Sequence, residues 1–173
     1  MMPHKFRPSF FPYRFPSLVP WCQKQAFKTC VLASVASFVL MGFMLTHVRL
    51  LINHTPSLPY TYFLYFPHLT PHQGDLTVFE HVSGMRMIKR IIGLEGDTIT
   101  YDKDGVLWVS GTKVGKPKEE NRRGEPLVKT PSGVIAKGHV FLYAPHAESL
   151  DSRYTSVGLV YEKHLGGRAY AIF

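Results

Sequence analysis

The first 74 residues of this 173-residue chain contain no aspartate or glutamate, and the first acid is Asp75. Six of the twenty Lys and Arg residues precede Asn53, so the remaining fourteen face all twelve acids and leave that part nearly neutral. Nucleic-acid-binding proteins concentrate their basic residues on the folded domain. Here the basic excess flanks a hydrophobic stretch, which is typical of membrane topology. We therefore expect a lipid bilayer, and no nucleic acid, among the partners.

Cysteine is scarce as well. Cys22 and Cys30 lie before or inside the hydrophobic stretch, so no disulfide framework is expected to hold the rest of the chain. The sequence has no Cys/His pair at zinc spacing and no His-Glu-x-x-His motif, and we predict neither a metal nor a cofactor. The Gly-x-Ser-x-Gly turn that carries the nucleophile of α/β-hydrolases is also missing around Ser57.

One segment, residues 29–46, is eighteen residues long and uncharged. With its apolar neighbours it reaches the roughly 17–25 residues that a helix needs to cross a bilayer. We predict a basic, proline-rich cytoplasmic tail at residues 1–28, a transmembrane anchor at 29–52, and an exported domain at 53–173. A cleaved signal peptide is the alternative. The long leading segment and the lack of a small-x-small sequence near Thr46 favour an uncleaved anchor.

Beyond the anchor the helical period disappears, and short runs of alternating apolar residues take over. Many short strands separated by turns predict a mainly β fold class. Residues 102–105 (DKDG) predict a hairpin turn, because Asp-Gly tolerates positive φ. The segment 113–133 is charged and rich in Gly and Pro, which indicates an exposed excursion. The aromatic run 60–66 fits either a patch in the membrane interface or a buried strand. The predicted strands are residues 75–82, 85–94, 97–101, 106–109, 140–143, 158–161 and 168–172.

A serine between prolines, Ser57, follows the anchor closely. A serine hydroxyl is a weak nucleophile and needs a base. Lys89 is the candidate base, because strand alternation places it on one face with Met85, Met87 and Ile91. Burial there would lower the pKa of Lys89 from about 10.4. The alternative is a lysine that extends along the sheet to reach solvent at its edge.

Several motifs occur in an order that resembles one family. Residues 89–97 (KRIIGLEGD) look like the lysine box of type I signal peptidases, and residues 73–79 (QGDLTVF) resemble the Gly-Asp strand before it. Residues 149–154 (SLDSRY) resemble the Ser-x-Asp-Ser-Arg box, and residues 158–160 and 167–172 resemble the closing strands. The resemblance implies a signal-peptidase-like catalytic β domain behind one N-terminal transmembrane helix.

The serine box narrows the resemblance to a subfamily. Residues 55–59 (TPSLP) are similar to the box of conjugative-transfer, TraF-like peptidases, which process pilin. Residues 60–62 (YTY) stand where that subfamily often has x-Gly-x-Tyr.

The resemblance implies a Ser/Lys dyad. Ser57 would attack the scissile carbonyl, and neutral Lys89 would accept its proton and later return one to the leaving amine. The amide of Ser57 and the hydroxyl of Thr55 would form the oxyanion hole.

Three further residues match supporting positions of the family. Ser149 matches the serine that orients the lysine, and Asp151 with Arg153 matches an ion pair that shapes the site. From the residues alone, this pair is equally an ordinary surface ion pair worth less than about 1 kcal/mol.

These expectations describe a single-pass serine endopeptidase of a bacterial inner membrane, with a cytoplasmic N-terminus and a periplasmic catalytic domain. It would cleave leader sequences from exported precursor proteins and mature pilin in conjugative transfer, by hydrolysis or by joining the pilin ends into a ring. The alternatives are a general type I signal peptidase and a non-catalytic membrane scaffold of a secretion or pilus apparatus. A DNA-bound, self-cleaving Ser/Lys regulator is disfavoured by the membrane segment.

Overall fold

The structure is a computed structural model that describes the backbone of residues 19–172 and the side chains of residues 24–172. The chain divides after Phe43 into two units. Most of the predicted cytoplasmic tail, residues 1–18, lies outside the described residues.

The first described element is helix α1, Val19–His47. Pro20 is tolerated because the first turn of a helix needs no N–H donors. The segment Lys24–His47 of the helix has a mean hydropathy of 2.0, and none of the residues in its apolar stretch is buried. At 1.5 Å per residue these 24 residues span about 36 Å, enough to cross a bilayer. The helix ends at His47, five residues before the predicted end of the anchor.

The rest of the described chain is built from short antiparallel strands. The strands are β1 Arg49–Ile52, β2 Tyr62–Phe66, β3 Leu76–Glu80, β4 Arg86–Gly93, β5 Thr98–Tyr101, β6 Leu107–Val109, β7 Thr112–Gly115, β8 Gly133–Val134, β9 His139–Tyr143, β10 Val160–Tyr161 and β11 Leu165–Ala171, with a 3₁₀ turn at Glu162–His164. One sheet has the order β1-β2-β11-β3-β4-β9-β10 and the other β7-β6-β5-β8. The predicted class, a mainly β domain preceded by one apolar helix, is confirmed.

Each run that was predicted to be a strand overlaps an observed strand, and the differences have tertiary causes. Residues Arg49–Ile52 were assigned to the anchor but pair along their whole length with β2. Strand β7 lies at the start of the predicted excursion, because Val114 is buried in the core. In the aromatic run 60–66 a strand is confirmed, with Phe63 of β2 fully buried and Tyr62 and Leu64 exposed, while the membrane-interface alternative stays a prediction.

The predicted hairpin between β5 and β6 is confirmed. The Gly105 N–H donates to the carbonyl of Asp102 (3.0 Å), and Gly105 has φ = 76°. The Asp102 carboxylate accepts the N–H groups of Asp104 (3.0 Å) and Val106 (2.9 Å) and the indole N–H of Trp108 (3.1 Å). Side-chain acceptors of this kind fix a turn locally.

Gly93, at the end of β4, allows the two sheets to approach. A Cβ added there would lie 2.7 Å from Val109 Cγ1 and 2.8 Å from Ile135 Cδ1. Both neighbours belong to the core cluster that joins the sheets, whose buried members are Ile99, Leu107, Val109, Val114, Ile135 and Phe141. The glycine of the lysine box therefore has a packing role in this fold.

Candidate active site

The serine-bearing loop connects β1 to β2. The N–H of Asn53 donates to the carbonyl of Thr61 (2.8 Å), which closes residues 53–61 into a loop. Leu58 is 5% exposed and packs with Phe63 and other buried residues of a second core cluster. Because the residue after Ser57 is held in the core, the half-buried Ser57 has a defined place at the rim of a cavity.

Lys89 projects from the middle of β4, opposite Thr77 of β3. It is 3% exposed, whereas Arg86 and Arg90 on the same strand are exposed. Its ammonium nitrogen lies 2.5 Å from Ser149 Oγ, in the interior. The predicted burial of Lys89 is confirmed, and the alternative of a lysine that reaches solvent is wrong.

The environment of Lys89 makes it a better candidate for a general base than a surface lysine. Burial lowers the pKa of Lys89 to about 8, because desolvation disfavours the ammonium form. The charge of Asp151 acts in the opposite direction, and the charge of Arg153 reinforces the lowering. A base with a pKa near the working pH is neutral in a useful fraction of molecules.

Asp151 and Arg153 form a buried ion pair, with exposures of 0% and 3%. Asp151 Oδ1 accepts from Arg153 Nε at 2.8 Å, and Asp151 Oδ2 accepts from Arg153 Nη2 at 2.9 Å. The same Arg153 nitrogen donates to the carbonyls of His146 (3.0 Å) and Ser149 (3.1 Å). Because both side chains are buried, the alternative of a surface pair is wrong. The pair also holds the backbone of Ser149, whose hydroxyl contacts Lys89.

Thr55 and Ser57 contact each other directly, with 2.9 Å between their hydroxyl oxygens. Thr55 is exposed on the loop, beside the predicted nucleophile. The Thr55 hydroxyl is therefore adjacent to the predicted nucleophile, and its part in an oxyanion hole stays a prediction.

The cavity has a volume of about 1000 Å³ and brings Ser57, Lys89, Thr55 and Ser149 together in its lining. No hydrogen bond joins the side chains of Ser57 and Lys89 directly. Asp151 and Arg153 lie behind the lining and contact it through Ser149.

Sequence reasoning missed the role of Asn53 in this site. Its side chain contacts the backbone of Thr55 and of Tyr60 and the hydroxyl of Thr55. The signal was present, because asparagine two residues before a threonine is typical of a side-chain-capped turn. The loop serine and the buried lysine in the lining of one cavity are a candidate nucleophile and a candidate base.

Comparison with known proteins assigns the family. The model of the family described as signal peptidase, peptidase S26, matches residues 23–173, so the chain belongs to this family. Signal peptidase I of Pseudomonas aeruginosa is 25% identical over 175 residues, covering 80% of this chain and 59% of that protein. Signal peptidase I V of Bacillus subtilis is 32% identical over 110 residues, covering 57% of this chain and 64% of that protein.

A solved structure was also matched. The crystal structure of a signal peptidase I from Enterococcus faecalis is 25% identical and covers 57% of this chain and 95% of that chain, with a TM-score of 0.38. The chain spans about three-fifths of the length of the two sequence relatives.

Proposed function

We propose that this chain is a membrane-anchored serine endopeptidase that removes leader sequences from exported precursor proteins. The observation that carries the proposal is the buried Lys89, whose pKa is lowered to about 8, in the lining of the same cavity as Ser57. A buried lysine costs several kcal/mol if it stays charged. Catalysis by Lys89 as the base for Ser57, which lines the same cavity, would explain why the chain bears that cost. Family membership supports the same activity.

In the proposed reaction, substrate binding brings Ser57 and neutral Lys89 into hydrogen-bond contact. The Ser57 Oγ–H proton passes to Lys89 Nζ as Oγ bonds to the scissile carbonyl carbon. The carbonyl π electrons move to oxygen, where the Ser57 amide and the Thr55 hydroxyl stabilise them. Lys89 then returns the proton to the leaving amine as the C–N bond breaks. Water attacks the ester in a second cycle that uses the same base and releases Ser57.

Ser149 has a positioning role in this proposal. Its hydroxyl accepts a hydrogen bond from Lys89 Nζ at 2.5 Å and fixes the direction of the buried lysine side chain. The Asp151–Arg153 pair fixes Ser149 in turn, through the bond from Arg153 to the Ser149 carbonyl. A base must be held within hydrogen-bond reach of the proton that it removes.

The membrane is the proposed place of action. Helix α1 is long and apolar enough to be the anchor, and the basic N-terminal flank favours a cytoplasmic N-terminus with the β domain in the periplasm. The β domain also has an exposed apolar face of two cross-strand rows, which are Leu50, Leu64 and Tyr170, and Ile52, Tyr62 and Ile172. Tyrosine and apolar side chains on one exposed face suit the membrane interface.

Within this activity, the finer proposal is maturation of a pilin precursor in conjugative transfer. It rests on residues 55–59 (TPSLP) and their similarity to the conjugative-transfer peptidases. General signal peptidase activity is the second candidate, favoured by the relatives named signal peptidase I.

The test uses the full chain in vesicles of bacterial phospholipid, with a pilin precursor and several unrelated exported precursors as substrates. Mass spectrometry of the products locates the cleaved bond and separates hydrolysis from ring closure, which differ by one water. Ser57→Ala measures background proteolysis, and Ser132→Ala, an exposed serine away from the cavity lining, is the matched control.

We expect the parent and Ser132→Ala to cleave after a small-x-small sequence and Ser57→Ala to be inactive. Cleavage confined to the pilin precursor supports the transfer function, whereas cleavage of all precursors supports the general one. Failure of every precursor with a folded parent protein would favour the scaffold alternative.

A further inference from the structure

The loop that carries Ser57 is held by hydrogen bonds from one half-buried side chain, Asn53. Its Oδ1 accepts from the Thr55 N–H at 3.1 Å and from the Thr55 hydroxyl at 2.9 Å. Its Nδ2 donates to the carbonyl of Tyr60 at 3.1 Å and reaches the carbonyl of Leu58 at 3.5 Å. The contacts therefore enclose Ser57 from both sides of the loop.

The partners fix which way the Asn53 amide points. A backbone N–H can only donate, so the Asn53 atom that contacts the Thr55 N–H must be the oxygen. The carbonyls of Tyr60 and Leu58 can only accept, so the atom that faces them must be the NH₂ group. The opposite orientation would bring donors against donors and acceptors against acceptors.

This orientation decides where the hydroxyl protons lie. Asn53 Oδ1 has no proton, so Thr55 uses its single hydroxyl proton to donate to Asn53. Thr55 Oγ1 can then contact Ser57 Oγ at 2.9 Å only as an acceptor, which makes Ser57 the donor. The donor order in the resting loop is Ser57 to Thr55 to Asn53.

We propose that Asn53 is a positioning residue for Ser57, acting through the Thr55 hydroxyl. Because the Thr55 hydroxyl donates to Asn53, Thr55 Oγ1 accepts the proton of Ser57 and fixes that side chain. The lone pairs of Ser57 Oγ then remain free for attack. Substrate binding redirects both protons, that of Ser57 to Lys89 and that of Thr55 to the developing oxyanion. Asn53 thus sets the ground-state geometry of the nucleophile through its contacts with Thr55. The inference rests on the proposed peptidase function.

The experiment is a double-mutant cycle on the full chain in lipid vesicles, with kcat and KM measured separately for a processed precursor. Asn53→Ala and Thr55→Val are made singly and together. Asp102→Ala is the matched control, because Asp102 also accepts several N–H groups in a turn but lies outside the cavity lining. Circular dichroism checks that each variant is folded.

Asn53→Ala is expected to lower kcat roughly 10- to 100-fold with little change in KM, since misplacement of a reacting group acts on the chemical step. Thr55→Val is expected to lower kcat by about 10²-fold. In the Thr55→Val background, Asn53→Ala should lower kcat by less than about twofold, because the side chain through which it acts is gone. Asp102→Ala should leave kcat unchanged.

An equal loss of kcat from Asn53→Ala in both backgrounds would overturn the inference, because Asn53 would then stabilise the loop independently of Thr55. So would an unchanged kcat in Asn53→Ala. If Asn53→Ala does not fold, Asn53→Asp takes its place, since it keeps the Oδ1 acceptor and removes the donor to Tyr60 and Leu58. Because Asn53→Asp also sets a carboxylate oxygen against these two carbonyls, its loss of kcat at the high-pH limit is compared in both backgrounds: it should shrink to less than about twofold in Thr55→Val, and an equal loss in both would overturn the inference. An inactive parent protein would instead reject the peptidase function, so the two failures are distinguishable.

Discussion

The protonation of Lys89 should set the pH dependence of the reaction. The perturbation is a change of pH from 6 to 9.5 for the parent protein in vesicles. With a pKa of about 8 for Lys89, the neutral fraction is about 1% at pH 6, about 9% at pH 7 and about 91% at pH 9. The value of kcat/KM should therefore rise about tenfold per pH unit below 7 and level off above 9.

The assay is the initial rate of precursor cleavage at substrate concentrations well below KM, where the profile reports groups of the free enzyme. Retained circular dichroism across the range controls for unfolding. A flat profile between pH 6 and 9 would refute the assignment of neutral Lys89 as the base, whatever the other variants show.

The same pKa predicts a stability effect of known sign. The folded pKa of about 8 lies below the ordinary lysine pKa of 10.5, so between these pH values the unfolded chain binds more protons than the folded one. The free energy of unfolding should therefore rise with pH across this window, by at most about 3 kcal/mol. Urea unfolding of the parent and of Lys89→Met measures this, and the rise should be smaller in the variant. Equal slopes would mean that burial of Lys89 does not depress its pKa.

Three further predictions concern Arg153 and Ser149, which hold the lysine in place, and Gly93, which lies on the same strand. Arg153→Met leaves Asp151 buried without its partner and should lower the free energy of unfolding by about 3–5 kcal/mol in urea titrations, and an effect below about 1 kcal/mol would contradict the buried pair. Gly93→Ala should lower it by about 1–3 kcal/mol because the added methyl overlaps the inter-sheet core, whereas an unchanged midpoint would show that the sheets can separate freely. Ser149→Ala should lower kcat at least about tenfold with a smaller change in KM, since it loosens the base, and a change in KM alone would assign it to substrate binding.

The strand pattern could be predicted because it is local. Alternation at residues 85–94 predicted β4 and the buried face of Lys89, and Asp102 with Gly105 predicted a turn whose geometry depends on few residues. Strand β1 could not be separated from the anchor, since Arg49–Ile52 is apolar enough to continue it and only pairing with β2 defines it as a strand.

The candidate site was predictable in its residue types and less so in its contacts. The burial of Asp151 and Arg153 depends on how residues 144–153 turn back so that the backbone of Ala144 contacts both side chains, which adjacent residues do not encode. Asn53 contacts Thr55 locally, but its contacts with Leu58 and Tyr60 depend on the loop closure between β1 and β2. The burial of Lys89 was therefore predicted from its own strand, whereas its contact with the distant Ser149 was expected only from the family resemblance.

The Ser/Lys dyad is tested by following the mass of a precursor that the parent protein cleaves, with Ser57→Ala and Lys89→Ala compared in vesicles. Lys137→Ala, an exposed lysine away from the cavity lining, is the control for loss of a charge. A Ser/Lys dyad predicts that both variants stay folded and lose cleavage, while the control keeps it. Normal cleavage by both Ser57→Ala and Lys89→Ala would contradict the dyad.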